Sequence, residues 1–225
     1  MGSMSGTSLA YGTAELPATL PIFPLAGVLL LPRGRLPLNI FEPRYLNMTR
    51  DALASDRLIG MVQPTEDERP GHPPALYRMG CAGRITQFSE TDDGRFLITL
   101  TGVARFEIGA EVAAAHGYRR VAPRWERFRG DLEETGGSPV DRPRLMAALN
   151  VFFKLHEITA DWDAIEATGG ERLVTSLAMI CPFAPNEKQA LLEADDLTER
   201  ARLLTALIEM AALHSAGDGG EAARH

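Results

Sequence analysis

Short apolar runs broken by proline and glycine dominate the first half of the chain. Apolar positions three and four apart dominate the second. LPIF (Leu20–Phe23), GVLLL (Gly27–Leu31) and LIGMV (Leu58–Val62) have the length of buried strands. RITQFSETDDGRFLITLTG holds the clearest hairpin. In it Phe96, Ile98 and Leu100 alternate with Leu97, Thr99 and Thr101, and Asp93-Gly94 supplies turn residues that tolerate a positive φ. VARFEIGAEV (Val103–Val112) is expected as a further strand, bent or bulged near Gly109, and YRRVAPRWERF (Tyr118–Phe128) closes the series. Regularly spaced short strands of this kind suggest a small barrel or a curled sheet. One helix interrupts them. It starts at Pro43, whose fixed φ suits the first helical position, and puts Tyr45, Leu46, Thr49 and Leu53 on one face.

After GDLEETGGSP the period changes. Leu145, Leu149, Phe152 and Phe153 have helical spacing, as do Leu173, Leu177 and Ile180 before Pro182. A third helix starts near Asn186. In a fourth, Asp196 and Glu199 stand as a capping box, and Leu197, Ala201, Leu204, Ile208 and Ala211 form an apolar stripe. The fold class is therefore α+β: a β-rich part over residues 17–130, a linker at 131–138 and a helical bundle over 139–214. Residues 1–16 and 215–225 are small and polar and are expected to be mobile tails.

The chain has 225 residues, enough to bury a sizeable core without a disulfide or metal. Its two cysteines, Cys81 and Cys181, suit a reducing compartment, and no secretory signal pattern or membrane-length apolar run is present. A net charge of -7 weighs against bulk nucleic-acid binding. The positive charge is nearly all arginine, with only two lysines, Lys154 and Lys188.

Candidate chemistry is sparse. The P-loop, G-x-G-x-x-G, G-x-S-x-G and H-E-x-x-H patterns are absent, and the cysteines form no C-x-x-C. HEITADWD places His156, Asp161 and Asp163 close enough in sequence to consider a metal, although a solvated helix end and loop is the simpler expectation. A Ser–Lys site would need one of the two lysines as base, and neither has a serine near it in sequence. No catalytic, cofactor or metal residue is assigned. One stretch suggests a surface: Tyr118, Arg119, Arg120, Arg124, Trp125 and Phe128 interleave arginine with aromatic rings, as phosphate- and base-binding strands do. In IFEPRY, Glu42 is expected to meet the positive end of the helix it precedes, and Arg44 to reach a carboxylate or carbonyl nearby.

These segments resemble a known family. LPIFPLAGVLLLPRGRLPLNIFEPRYLNMTRDAL is similar to the opening of the substrate-binding, amino-terminal domain of Lon proteases, and LIGMVQP, YRMGCAGRITQFSETDDGRFLITLTGVARFEI and CPFAPNEKQALLEADDLTERARLLTALI follow in the family's order. The resemblance spans about residues 18–213. It implies a PUA-like pseudo-barrel followed by a helical bundle. It makes IFEPRY a fold signature, with Phe41 and Tyr45 anchoring the helix that Pro43 opens and Glu42 and Arg44 fixing its start. A full Lon protease continues into ATPase and peptidase modules, whose motifs this sequence lacks. The resemblance therefore implies a stand-alone, non-catalytic module in a bacterial cytoplasm, binding unfolded polypeptide or a partner protein. If Trp125 and Phe128 face outward, they are the first candidate anchors. The alternative partner is RNA, bound along residues 118–129.

Overall fold

The structure, a computed structural model, describes residues 16–65, 73–133 and 140–221. The expected amino-terminal tail up to residue 15 lies outside the described residues, as do positions 134–138 of the expected linker and the last four residues of the chain.

Six strands precede the helical half: β1 (Leu20–Pro24), β2 (Arg35–Ile40), β3 (Leu58–Pro64), β4 (Leu76–Glu90), β5 (Phe96–Ala115) and β6 (Tyr118–Arg124). They order as β2-β5-β4-β3-β1-β6, and β6 also pairs with the far half of β5, so five strands close into a barrel. Only β1 and β3 run parallel, Phe23 opposite Met61. The expected hairpin is β4–β5, with Phe88 opposite Ile98 and Glu90 opposite Phe96. Its turn carries Gly94 at φ 80°.

The expected strand at Val103–Val112 is the second half of one 20-residue β5, and the irregularity foreseen at Gly109 is a shift of register against β6 between Ile108 and Glu111. A Cβ on Gly109 would lie 2.3 Å from the carbonyl oxygen of Ala122. A two-residue turn, His116 (φ 50°) and Gly117 (φ 86°), joins β5 to β6. Positive φ at both positions matches the right-handed twist of the strands it connects.

GVLLL is not a strand. Leu29, Leu30 and Leu31 are buried in a loop between β1 and β2. Contiguous apolar residues are compatible with either state, and here burial comes from both halves of the protein. After Pro32, Arg33 and Gly34, the six residues RLPLNI form β2, an edge strand that tolerates Pro37.

Helix α1 (Pro43–Leu53) starts at Pro43 and buries Tyr45, Met48, Thr49 and Ala52. Beyond β6 the chain forms a 3₁₀ turn (Glu126–Leu132) rather than more strand. Then follow α2 (Arg142–Leu155), α3 (Trp162–Ala167), α4 (Gly170–Ile180), α5 (Pro185–Glu193) and α6 (Leu197–Glu221). The Asp196 carboxylate accepts from Glu199 N (2.8 Å), while the Glu199 carboxylate accepts from Asp195 N (2.9 Å), one residue earlier than in the standard box. Helix α6 runs past the boundary expected at 214. Ile180, expected on the buried stripe of α4, is 73% exposed, because the helix buries Val174 and Ala178 beside Leu173 and Leu177.

One apolar core crosses the boundary between the halves. Leu29 and Leu31 of the loop, Ile59 of β3 and Leu100 of β5 belong to the same cluster as Leu145, Val174 and Leu204 of the helices. A second cluster fills the barrel, around Leu20, Ile22, Phe106 and Val121. The loop fits because residue 102 is glycine. Arg33 N donates to Gly102 O (2.8 Å), Gly102 N donates to Gly34 O (2.9 Å), and a Cβ there would sit 2.0 Å from Leu31 O.

Arg105 fastens the halves together. Its side chain is 4% exposed and pairs with Asp131 through Nε and Nη2, both at 2.9 Å. Nη1 donates to the carbonyls of Leu192 (3.1 Å) and Ala194, and Nη2 to that of Asp195 (3.2 Å). A strand of the barrel thus satisfies the carbonyls that end α5, which lack partners within the helix.

Candidate functional site

Five of the chain's fifteen prolines converge on one cleft of about 680 Å³. Pro24 ends β1, Pro64 ends β3, Pro73 and Pro74 precede β4, and Pro185 opens α5; all five line the cleft. Proline is expected at such places, since it cannot donate inside a ladder and fits the first helical position. Its consequence is a wall without backbone N–H groups at these five positions.

Two tyrosines and two arginines complete the cleft. Tyr45 comes from the first turn of α1, its ring 4.2 Å from that of Phe23, with the Arg44 guanidinium 4.5 Å above it. Tyr118 and Arg119 begin β6, placed there by the His116–Gly117 turn. The Tyr118 hydroxyl donates to Asp51 (2.8 Å), and His116 Nδ1 lies 2.7 Å from the same oxygen. Burial, then the bond to Asp51, pushes the Tyr118 hydroxyl up to about 12, while the bonds from His116 and Tyr118 hold Asp51 below the ordinary carboxylate value. Arg119 donates to Pro74 O (2.8 Å) and pairs with Glu111, which ties β6 to the segment before β4. Thr65 also lines this region, and its hydroxyl is buried without a hydrogen-bond partner. The result is an apolar trough with two cations at its side.

The six candidate surface residues divide. Tyr118 and Arg119 line the cleft, and Arg120 lines a neighbouring hollow of about 490 Å³ on the Asp51 side. Arg124 pairs with Glu107 (3.1 Å). Trp125 and Phe128 do not face outward. Trp125 packs on Phe106 at 5.6 Å at the end of the barrel core, its Nε1 donating to Pro17 O (3.3 Å). Phe128 is 3% exposed, with the guanidiniums of Arg105 (4.3 Å) and Arg127 (5.1 Å) stacked on it. Rings needed for the core are not free to stack on bases, so the stretch is not an aromatic platform.

The IFEPRY residues need a correction too. Pro43 opens α1 and Tyr45 is buried in its first turn, but Phe41 is 62% exposed. Glu42 makes no side-chain cap hydrogen bond to the backbone N–H groups of the helix it precedes. Its carboxylate pairs instead with Arg44 (2.8 Å), which is thereby held over Tyr45 at the cleft.

In HEITADWD, Asp161 caps α3 by accepting from Ala164 N (3.0 Å), and His156 lies against Phe152 (ring centroids 4.2 Å apart). Among the described residues no three His, Cys, Asp or Glu side chains are grouped to hold a metal. Lys188 is buried, which lowers its pKa, and donates to the carbonyls of Gly27 (2.8 Å) and Met179 (3.3 Å). No helix among the described residues is long and apolar enough to cross a membrane.

The cleft was not foreseen because its prolines are scattered from position 24 to 185. The available signals were Pro73-Pro74, a pair that excludes ladder pairing, and the His-Gly turn that aims Tyr118.

Residues 19–210 match the family model described as the ATP-dependent protease La (LON) substrate-binding domain. Lon protease 2 of Myxococcus xanthus is 28% identical over 199 residues, covering 86% of this chain, and Lon protease of Dictyoglomus thermophilum is 26% identical over 201 residues. The chain spans 24% of the length of each. A Lon N-terminal domain protein from Xanthomonas campestris has a similar fold, with TM-score 0.57 and 24% identity, over 84% of this chain and 97% of that one. The N-terminal domain of a Mycobacterium avium complex Lon protease aligns over the same shares, with TM-score 0.59 and 18% identity. The chain belongs to the family of LON substrate-binding domains.

Proposed function

We propose that this chain is a non-catalytic recognition module that holds an extended, apolar segment of unfolded polypeptide in the proline-walled cleft. The observation that carries this is the composition of the cleft: five prolines and two tyrosines, with Arg44 and Arg119 beside them. A groove without proline N–H groups favours side-chain contact over backbone pairing, and so tolerates many sequences. Its volume of about 680 Å³ falls in the range of roughly 300–1,000 Å³ common for binding pockets. That is room for a few residues of extended chain at about 3.3 Å each. Membership of a substrate-binding family supports the same role, and the relatives' name, Lon protease, makes protein the expected class of ligand.

The non-catalytic part of the proposal is supported by Lys188, whose described partners are carbonyl oxygens and not a hydroxyl nucleophile. RNA is the less favoured partner. Arg119, Arg124 and Arg127 are each paired with a carboxylate, and Tyr118 and Phe128 are buried.

The test is fluorescence anisotropy of a labelled, permanently unfolded polypeptide, with single-stranded RNA as competitor. Saturable binding of micromolar order is expected, since ordering a flexible chain consumes much of the contact energy. RNA should not displace it. Ala26 is exposed at the cleft, so Ala26→Trp should plug it and weaken binding at least about tenfold with an unchanged melting temperature. Equal affinity in a folded Ala26→Trp protein would remove the cleft as the site.

A further inference from the structure

A separate cavity of about 190 Å³ lies where the 3₁₀ turn, α4 and the first turn of α6 meet. Its wall carries four guanidinium groups, on Arg33, Arg105, Arg127 and Arg200, and four carboxylates, on Asp131, Glu171, Asp195 and Asp196. Three ion pairs account for six of these: Arg33–Glu171 (2.6 Å), Arg105–Asp131 (2.9 Å) and Arg127–Asp195 (2.6 Å). Asp196 is occupied in capping α6.

Arg200 is the cation left over. It is 6% exposed, its Nε donates to Leu191 O (2.8 Å), and its Nη2 is buried with no acceptor. Burial, then the neighbouring Arg105 charge, lowers its pKa to about 10, so it stays charged at neutral pH. A buried charged group normally has all its donors satisfied. Among the described residues, a buried unfilled donor of the junction therefore belongs to the group for which leaving it unfilled is most costly.

We propose that this cavity binds a small oxyanion, a carboxylate or a phosphate group, seated against Arg200. A guanidinium presents its donors in a plane that fits either group. Arg200 lies in the opening turn of a 25-residue helix, whose N-terminal end favours negative charge. Phe128, Pro32 and Leu197 supply apolar wall that limits screening by water. Wall charges balance four against four, so the attraction is local to Arg200 and the affinity modest. The anion has two sources, a free one or the carboxylate of a polypeptide's C-terminus. The site does not depend on the proline-walled cleft.

Arginine side-chain NMR of the full chain tests this directly. The Nε–H signal of Arg200 is followed during titration with sodium phosphate, with sodium acetate, and with sodium chloride at matched ionic strength. A short peptide is added in two forms, with a free and with an amidated C-terminus. Saturable displacement by phosphate or acetate beyond that by chloride is expected. Arg200→Met should bind phosphate about tenfold more weakly or worse, as for one lost charge-assisted bond. Displacement by the free but not the amidated peptide identifies a polypeptide terminus as the source; displacement by the inorganic anion alone identifies a free one. If phosphate and acetate act no differently from chloride on the wild-type protein, the proposal is wrong. It is also wrong if folded Arg200→Met binds phosphate as wild type does. The wild-type titration decides the matter even if the variant does not fold.

Discussion

Replacing Arg105 by alanine should unfasten the two halves. The guanidinium is 4% exposed and its partner Asp131 is 11% exposed, so the pair is effectively dry. Removing one partner of a buried pair strands the other charge, which typically costs about 3–5 kcal/mol. The carbonyls of Leu192, Ala194 and Asp195 lose a donor as well, and about 1 kcal/mol more is reasonable for these. A domain of this size holds only about 5–15 kcal/mol in total. The melting temperature should therefore fall by roughly 8–24 °C, taking about 2–4 °C per kcal/mol. Urea unfolding measures the loss, and a double-mutant cycle apportions it. Asp131→Asn alone should also destabilise, whereas Arg105→Met with Asp131→Leu should recover much of the loss, because an apolar pair carries no desolvation penalty. A loss below about 1 kcal/mol in Arg105→Ala, well under the cost of a stranded buried charge, would refute the latch.

Gly102→Ala should destabilise by about 3 kcal/mol or more in the same assay, since its Cβ would fall 2.0 Å from Leu31 O and overpacking on backbone has no flexible neighbour to give way. Gly130→Ala, with nothing within 4 Å, is the control and should be close to neutral. In an alkaline absorbance titration Tyr118 should ionise near 12, and Tyr118→Phe should remove that late component. The folded value lies above the ordinary one near 10, so this contribution to stability is complete below about pH 10 and is lost as pH rises towards 12. Burial pushes the Cys181 thiol up to about 11 and Cys81 higher still, so neither should react with a disulfide reagent at pH 8 until the protein is unfolded. One thiol reacting promptly in the native protein would contradict that burial.

Elements governed by local period were legible in the sequence. Phe96, Ile98 and Leu100 alternate because one face of β5 is buried and the other is not, and that is visible along the chain. Pro43 and the Asp196–Glu199 pair mark helix starts by their own chemistry. Misread elements depend on what lies across the fold. Leu29–Leu31 look like a strand because both halves bury them, and burial from two sides erases any period. Trp125 and Phe128 sit among arginines and suggest a surface, yet their rings are claimed by Phe106, Arg105 and Arg127 from elsewhere. Phe41, which the resemblance makes an anchor of α1, follows a buried Ile40, but the chain turns into α1 there and leaves the ring largely in solvent. Tyr118 and Arg119, expected on a basic strand, line the cleft. What they line is made by prolines 24, 64, 73, 74 and 185, which only the closed barrel and α5 bring together.

The most direct measurement is an NMR chemical-shift map of the labelled protein titrated with an unlabelled, permanently unfolded polypeptide. Shifts clustered at Ala26, Thr65, Gly117 and Arg119 are expected, with few in the helical half beyond the start of α5. Shifts clustered instead on the exposed tip of the β4–β5 hairpin, near Phe88 and Leu97, would contradict the cleft as the recognition site. No shifts at saturating polypeptide would contradict polypeptide recognition itself.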